Sequence, residues 1–219
     1  PGGPLTTADI RQIIAGAVAR EQETGELRAR LATALPGLQQ RLDIPGPEPV
    51  DALLAFIESY IASVPGCLNL VTAVSRRPGF YDYAAPFLNI AEDFFLAPPE
   101  DLPESGGLAL LLDEAFLAHR LLEEINDHHL RHLARPLLPL DMTEANTVVH
   151  HLLGDALATR LERLVQFTAA RLLDKEHLWR RVRDLPGSET APQPGFESAS
   201  LGTPGQTVRL KLAGLGSPS

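Results

Sequence analysis

The sequence is poor in residue types that would point to particular classes of protein. Cys67 is the only cysteine among 219 residues, so no disulfide can form within the chain and no thiolate cage can hold a metal. Because unpaired cysteines are typical of reducing compartments, we expect a cytoplasmic protein. Cys67 itself follows Pro65 and Gly66 at the start of an apolar run, which indicates a small buried side chain rather than a nucleophile.

Long apolar runs and excess positive charge are also missing. No uncharged apolar stretch reaches the roughly 18 residues that a transmembrane helix needs, and no basic segment followed by an apolar one marks a signal peptide. The chain has 28 acidic and 19 basic residues, a formal net charge of -9. Nucleic-acid binding requires clustered Lys and Arg. We therefore expect neither a membrane nor a nucleic acid as partner.

What remains is the composition of a folded helical protein. Hydrophobic residues make up 44% and charged residues 21%, which are ordinary globular values. Apolar residues recur at three- and four-residue spacing, which predicts an all-α bundle of about seven helices. We expect a single α-helical domain over residues 1–185 and a flexible tail over 186–219, where Pro, Gly and Ser dominate. Within this tail, the segment 207–212 alternates as a strand does, and pairing with a sheet edge is its alternative.

Residues 1–96 are predicted to form short helices separated by prolines and glycines. The firmest breaks are at 45–49 and at Pro65, because proline lacks the amide proton that a helix interior needs. The last helix of this part, about 81–95, holds most of the aromatic residues and is expected to lie in the core. An acidic, proline-containing linker follows at 97–107.

A long helical hairpin, from about 106 to 183, is the main feature of the second half. Its first arm is predicted over 108–133, and a capping box of Asp141 and Glu144 begins the second arm. The connection between them is short, so the arms should be antiparallel.

Each arm carries a stripe of residues that is expected to be buried. At about 100° per residue, His129 continues the apolar stripe of the first arm, with Asn126 beside it. On the second arm, His150 lies near the centre of the stripe and Asn146 lies alongside. Antiparallel arms should bring these polar residues to one level near the turn. The stripes are Leu111, Ala115, Ala118, Leu122 and Ile125 on the first arm, and Leu153, Leu157, Leu161, Leu164 and Thr168 on the second.

This inward polar cluster has two interpretations. In one, His129 and His150 bind a divalent metal such as zinc or iron, because neutral imidazoles are common ligands of such ions. In the other, the histidines are neutral and hydrogen-bonded, and they set the register of the hairpin with no cofactor. We favour the second, which requires no further ligand. Candidates for further metal ligands are Asn146, His128, His132 and Glu92.

Two functions of different class follow. The first is a non-catalytic interaction, regulatory or accessory protein, for which a homodimer is the natural assembly because twofold dimers are the commonest oligomers. The alternative is a metal-binding protein or metal-dependent enzyme that uses the bundle histidines. The sequence has no His-Glu-x-x-His, Walker A, Gly-x-Gly-x-x-Gly or Gly-x-Ser-x-Gly motif, so it leaves open whether the chain is an enzyme.

Overall fold

The computed structural model describes residues 7–75, 89–90, 107–134, 136, 138, 141–173, 179–180, 183–184 and 208–211. The predicted aromatic helix, the linker, Glu92 and most of the tail lie outside these residues. The prediction of an all-α bundle is confirmed. The helices are α1 (Thr7–Thr24), α2 (Glu26–Arg41), α3 (Pro49–Ala62), α4 (Val64–Ser75), α5 (Leu108–Leu133), α6 (Thr143–Leu153) and α7 (Asp155–Leu173), and the strands are β1 (Leu42–Asp43) and β2 (Arg209–Leu210).

A buried glutamate joins the first two helices. The chain turns at Gly25, whose φ of 63° lies in the left-handed region that favours glycine. The Glu21 carboxylate then accepts hydrogen bonds from the amides of Leu27 at 3.0 Å and Arg28 at 2.9 Å. Amides in the first turn of a helix have no partner within that helix. Glu21 of α1 therefore caps α2 and fixes the angle between the two.

Helix α5 is the centre of the bundle. It packs against α1, α3, α4, α6 and α7. The predicted stripe of this helix, including His129, is buried. The opposite side is covered as well, because every residue from Leu111 to Leu122 is buried. Four polar residues of α5 are consequently enclosed: Asp113, Glu114, His119 and Arg120.

The predicted second arm differs from the structure at Gly154. This residue has φ 87° and ψ 148°, which interrupts the helix and divides the arm into α6 and α7. The break changes the rotational phase of α7 relative to α6. Of the predicted stripe, Leu161 is buried, whereas Leu153, Leu157, Leu164 and Thr168 are only partly buried. His150, placed near the centre of that stripe, is instead partly exposed. The buried residues of α7 are Ala158, Leu161, Val165, Ala169 and Leu173.

Substitution of Gly154 by alanine is expected to lower the free energy of unfolding by about 1–3 kcal/mol, because its backbone conformation is essentially restricted to glycine. A Cβ at this position would meet no atom within 4 Å, so the loss would come from the backbone alone. Gly37→Ala is the matched control, since Gly37 lies inside α2 with equally open surroundings. That change should instead raise stability, by up to about 1 kcal/mol. Urea denaturation of both variants measures the two signs, and stabilisation by Gly154→Ala would contradict the assignment of strain.

Two short strands bring the end of the chain to the bundle. Strands β1 and β2 are antiparallel, with Leu42 opposite Leu210 and Asp43 opposite Arg209. Glu144 of α6 lies against β2, with its Oε1 3.6 Å from Arg209 Nε. The sequence predicted a flexible tail here, with strand pairing as the alternative. At 208–211 the structure shows the alternative, because β2 pairs with β1. Asp141 accepts a hydrogen bond from the amide of Thr143 at 3.0 Å. The N-cap residue of α6 is Met142, which makes no side-chain capping bond, and Glu144 contacts the strand, so the predicted capping box of Asp141 and Glu144 is wrong.

One helical stretch in the described part, Pro49–Leu70, is long and apolar enough to cross a membrane by length and composition. Its most apolar window has a mean hydropathy of 1.4, and 56% of that window is buried inside the protein. Core helices of water-soluble proteins meet the same criteria, so this stretch is weak evidence for a membrane span.

Candidate functional site

The guanidinium of Arg120 is shared by three carboxylates. Its Nη1 lies 3.2 Å from Glu123 Oε1, its Nη2 3.5 Å from Glu124 Oε2, and its Nε 3.8 Å from Glu162 Oε1. Glu123 and Glu124 follow Arg120 by about one turn on α5, which is the spacing at which helical side chains meet. Glu162 reaches the same cation from α7. These contacts are ion pairs between side chains that are at most about a quarter exposed.

A hydrogen-bonded relay extends from this cluster to α3. The hydroxyl of Tyr60 donates to Asn146 Oδ1 at 2.6 Å, and Asn146 Nδ2 donates to Glu123 Oε2. Burial raises the pKa of Glu123, whereas Arg120 and the Asn146 hydrogen bond act in the opposite direction. Burial also raises the pKa of the Tyr60 phenol well above its usual range. Tyr60 is therefore a neutral donor that orients Asn146.

His150 continues the network on the other side. Its Nδ1 lies 3.1 Å from Glu162 Oε1, and its Nε2 lies 3.3 Å from Asp155 Oδ1. Asp155 in turn is 3.4 Å from Arg41 Nη1 at the end of α2. Each nitrogen of His150 thus faces a carboxylate. Neither nitrogen is therefore directed at an open metal site.

His119 forms a second buried centre, against α3. Its Nε2 lies 3.0 Å from the carbonyl oxygen of Tyr60 and 2.9 Å from Ser63 Oγ, while the Ser63 hydroxyl donates to the same carbonyl at 2.7 Å. A carbonyl only accepts, so Nε2 carries the proton of the imidazole. Burial lowers the pKa of His119 to about 4, and the ring is neutral at pH 7. Since Nε2 donates, it cannot act as the base that would activate Ser63.

Three histidines of α5 surround Trp179. The ring of His132 stacks on the indole with centroids 4.3 Å apart, His128 lies parallel to it at 6.5 Å, and His129 meets its edge at 5.3 Å. The indole Nε1 donates to the carbonyl of Leu173 at 2.8 Å, which ties Trp179 to the end of α7. The histidines near the end of α5 therefore enclose an aromatic side chain.

No family model, curated protein or solved structure matches this chain. Function must therefore be argued from the site itself. The structure places His129 against Trp179, His150 between two carboxylates, and Asn146 between Tyr60 and Glu123. Within the described ranges, no group of three or more His, Cys, Asp or Glu side chains is arranged to hold a metal ion.

Sequence reasoning did not identify Arg120, Glu162 or His119 as members of the site. For His119 a weak signal was present, because it follows Ala115 by four residues and precedes Leu122 by three, and so lies beside the predicted stripe. Arg120 and Glu162 lie on different helices, and their pairing depends on how α7 is rotated after Gly154. Asn146 and His129 were correctly predicted to point inward.

A separate pair of acids, Asp113 and Glu114, is buried in the first half of α5, with each residue 4% exposed. Burial raises the pKa of Asp113 to about 6, with Arg30 acting in the opposite direction. Burial, followed by the neighbouring Asp113, raises the pKa of Glu114 to about 8. At neutral pH, Glu114 is therefore largely protonated in the folded protein. This pair makes the stability of the fold depend on pH.

Proposed function

We propose that this chain is a non-catalytic helical binding protein of the regulatory or accessory kind. The observation that supports this best is that its buried charged groups contact one another. Arg120 lies within 4 Å of three carboxylates, and Asn146, which accepts a hydrogen bond from Tyr60, donates to Glu123. An active site needs a reactive group directed at space that a substrate can occupy. Here the guanidinium of Arg120 and the carboxylates around it are directed at one another.

The geometry at the histidines supports the same proposal. A general base requires a nitrogen lone pair within reach of the proton that it removes. Both nitrogens of His150 face carboxylates, and the protonated Nε2 of His119 faces a carbonyl. A role in fixing the relative positions of α3, α5 and α7 accounts for these contacts without a reaction. A twofold homodimer in the cytoplasm stays our prediction for the assembly and its location.

The competing function is metal binding through His129 and His150, and metal analysis distinguishes the two. We expect untagged protein, purified without chelators, to contain far less than one equivalent of zinc or iron, measured by elemental analysis. The His129→Ala, His150→Ala double variant should give the same low value. His151→Ala is the control, because His151 neighbours His150 but is not among the candidate ligands. Light scattering on the same samples measures the predicted dimer.

One result would overturn the proposal. It is a stoichiometric metal in the native protein that the double variant loses and the His151→Ala variant keeps, with helical content by circular dichroism unchanged in both. Retained helicity matters, because a variant that unfolds loses any metal regardless of its ligands. In that case the metal-dependent alternative would replace the non-catalytic one.

A further inference from the structure

A cavity of about 330 Å³ lies between α4, α5 and the start of α6. This volume is at the small end of the range for small-molecule sites. The network around Arg120 touches it only through Glu123, so most of its wall has no part in the contacts described above. The described residues that line it are Cys67, Leu122, Glu123, Asn126, Asp127, Leu130, Pro136, Leu138, Asp141, Met142 and Thr143.

The wall of the cavity is apolar at its inner end. Cys67, Leu122, Leu138 and Met142 are all buried, and burial raises the pKa of the Cys67 thiol to about 11, so this thiol is neutral. Such a surface favours an alkyl or aryl group over water.

Asn126 holds Leu138, a residue of the connection between α5 and α6, at the wall of the cavity. Its Oδ1 accepts a hydrogen bond from the Leu138 amide at 2.8 Å, and its Nδ2 donates to the Leu138 carbonyl at 3.1 Å. A side-chain amide bound at both ends is well ordered. These two hydrogen bonds fix Leu138 in the wall of the cavity.

The outer end of the cavity is acidic. Asp127 and Asp141 are both exposed, and neither takes part in a salt bridge with another described residue. Glu123 adds a third carboxylate, which Arg120 compensates. The described lining contains no Lys, Arg or His. Among the described residues of this mouth, the uncompensated charge is negative, which attracts a cation.

We propose that this cavity binds a small organic cation, an alkyl- or arylalkylamine whose ammonium group lies at Asp127 and Asp141 and whose apolar body lies against Leu122 and Met142. A bare divalent ion fits less well, because no set of three carboxylates in the described part of the chain converges as a metal site requires. The order of polarity, acidic outside and apolar inside, matches an amine with a hydrocarbon body. This ligand adds to the proposed function and does not depend on it.

Calorimetric titration of the full chain with n-hexylamine tests the proposal, with hexanol and hexanoate as probes of the same apolar body. We expect hexylamine, protonated at pH 7, to bind with a Kd of about 0.1–1 mM, which is reasonable for so few atoms. Hexanol should bind roughly tenfold more weakly, because it lacks the charge that the carboxylates attract. Hexanoate should show no binding, because its charge is repelled.

Variants locate the site. Asp127→Asn should weaken hexylamine binding by about fivefold or more and leave hexanol unchanged, because only the charge is removed. Asp43→Asn, an exposed aspartate of β1 outside the cavity, is the matched control and should change neither. Thr143→Trp places a large side chain in the lining and should abolish binding of both probes. The proposal is overturned if hexanol or hexanoate binds as tightly as hexylamine, or if Asp127→Asn binds hexylamine as the native protein does.

Discussion

Replacement of Arg120 by methionine is expected to lower the free energy of unfolding by about 3 kcal/mol at pH 7, at the lower end of the roughly 3–5 kcal/mol that loss of one partner of a buried ion pair costs. The guanidinium lies within 4 Å of three carboxylates, and its side chain is 10% exposed. Methionine fills a similar volume, so the loss would come from charge rather than from packing. Without the cation, Glu123, Glu124 and Glu162 would repel one another in surroundings that solvate them poorly.

The effect should decrease at low pH. Burial already raises the pKa of Glu123, and loss of the neighbouring cation would raise this pKa further. Once protonated, Glu123 no longer repels the neighbouring carboxylates, so the difference between native protein and variant should be smaller at pH 4 than at pH 7. Urea denaturation followed by circular dichroism, at pH 4 and pH 7, measures this dependence.

Arg131→Met is the matched control for this prediction. Arg131 Nη2 lies 3.7 Å from Glu124 Oε1, but its side chain is 63% exposed. Exposed ion pairs contribute about 1 kcal/mol or less, so this variant should lose little. If Arg120→Met and Arg131→Met lowered the free energy of unfolding equally, the result would contradict the larger contribution that we assign to the buried ion pairs of Arg120.

Local periodicity accounts for the part of the fold that could be predicted from the sequence. The first arm was predicted over 108–133, and α5 spans Leu108–Leu133. Gly154 shows the limit of this reasoning. A single glycine inside a helical pattern costs only about 1 kcal/mol relative to alanine, so sequence alone does not decide whether the helix continues or breaks. The break changes the rotation of α7 about its axis relative to α6. The spacing of residues before Gly154 does not predict this rotation.

In the candidate site, too, some features could be predicted from the sequence and others could not. His129 and Asn146 were predicted to point inward because each has a fixed angle on its own helix, and both are buried. Their partners could not be derived, because Trp179 lies on another segment than His129, and Tyr60 and Glu123 lie on other helices than Asn146. Periodicity places a residue on a face of its own helix. A binding or catalytic site, however, is defined by the contacts between side chains of several helices. The elemental analysis proposed above therefore tests whether His129 and His150 bind a metal.

Substitution of Glu114 by glutamine is expected to raise the free energy of unfolding at pH 9 by about 2 kcal/mol. Burial raises the pKa of Glu114 from 4.5 to about 8. The folded protein therefore retains a proton that the unfolded chain releases between those two values, and stability falls as the pH rises through this window. Each pKa unit is worth about 1.4 kcal/mol, so the displacement sets a ceiling of about 5 kcal/mol, and relaxation around the charged form reduces it. Glutamine does not ionise, and the variant avoids this loss.

The pH range of the effect separates Glu114 from Asp113 and His119. Asp113 acts with the same sign at lower pH, since its pKa rises from 3.8 to about 6, whereas His119, with a pKa lowered from 6.5 to about 4, destabilises the fold as the pH falls. Of these three groups, only Glu114 lowers the free energy of unfolding as the pH rises above 6.5.

Urea denaturation at pH 4, 7 and 9 should therefore show native and Glu114→Gln proteins equal at pH 4 and diverging at pH 9. Glu23→Gln, on the exposed face of α1, is the control and should follow the native protein throughout. A constant difference between native and Glu114→Gln proteins from pH 4 to 9 would mean that Glu114 ionises in the folded chain as readily as in the unfolded one.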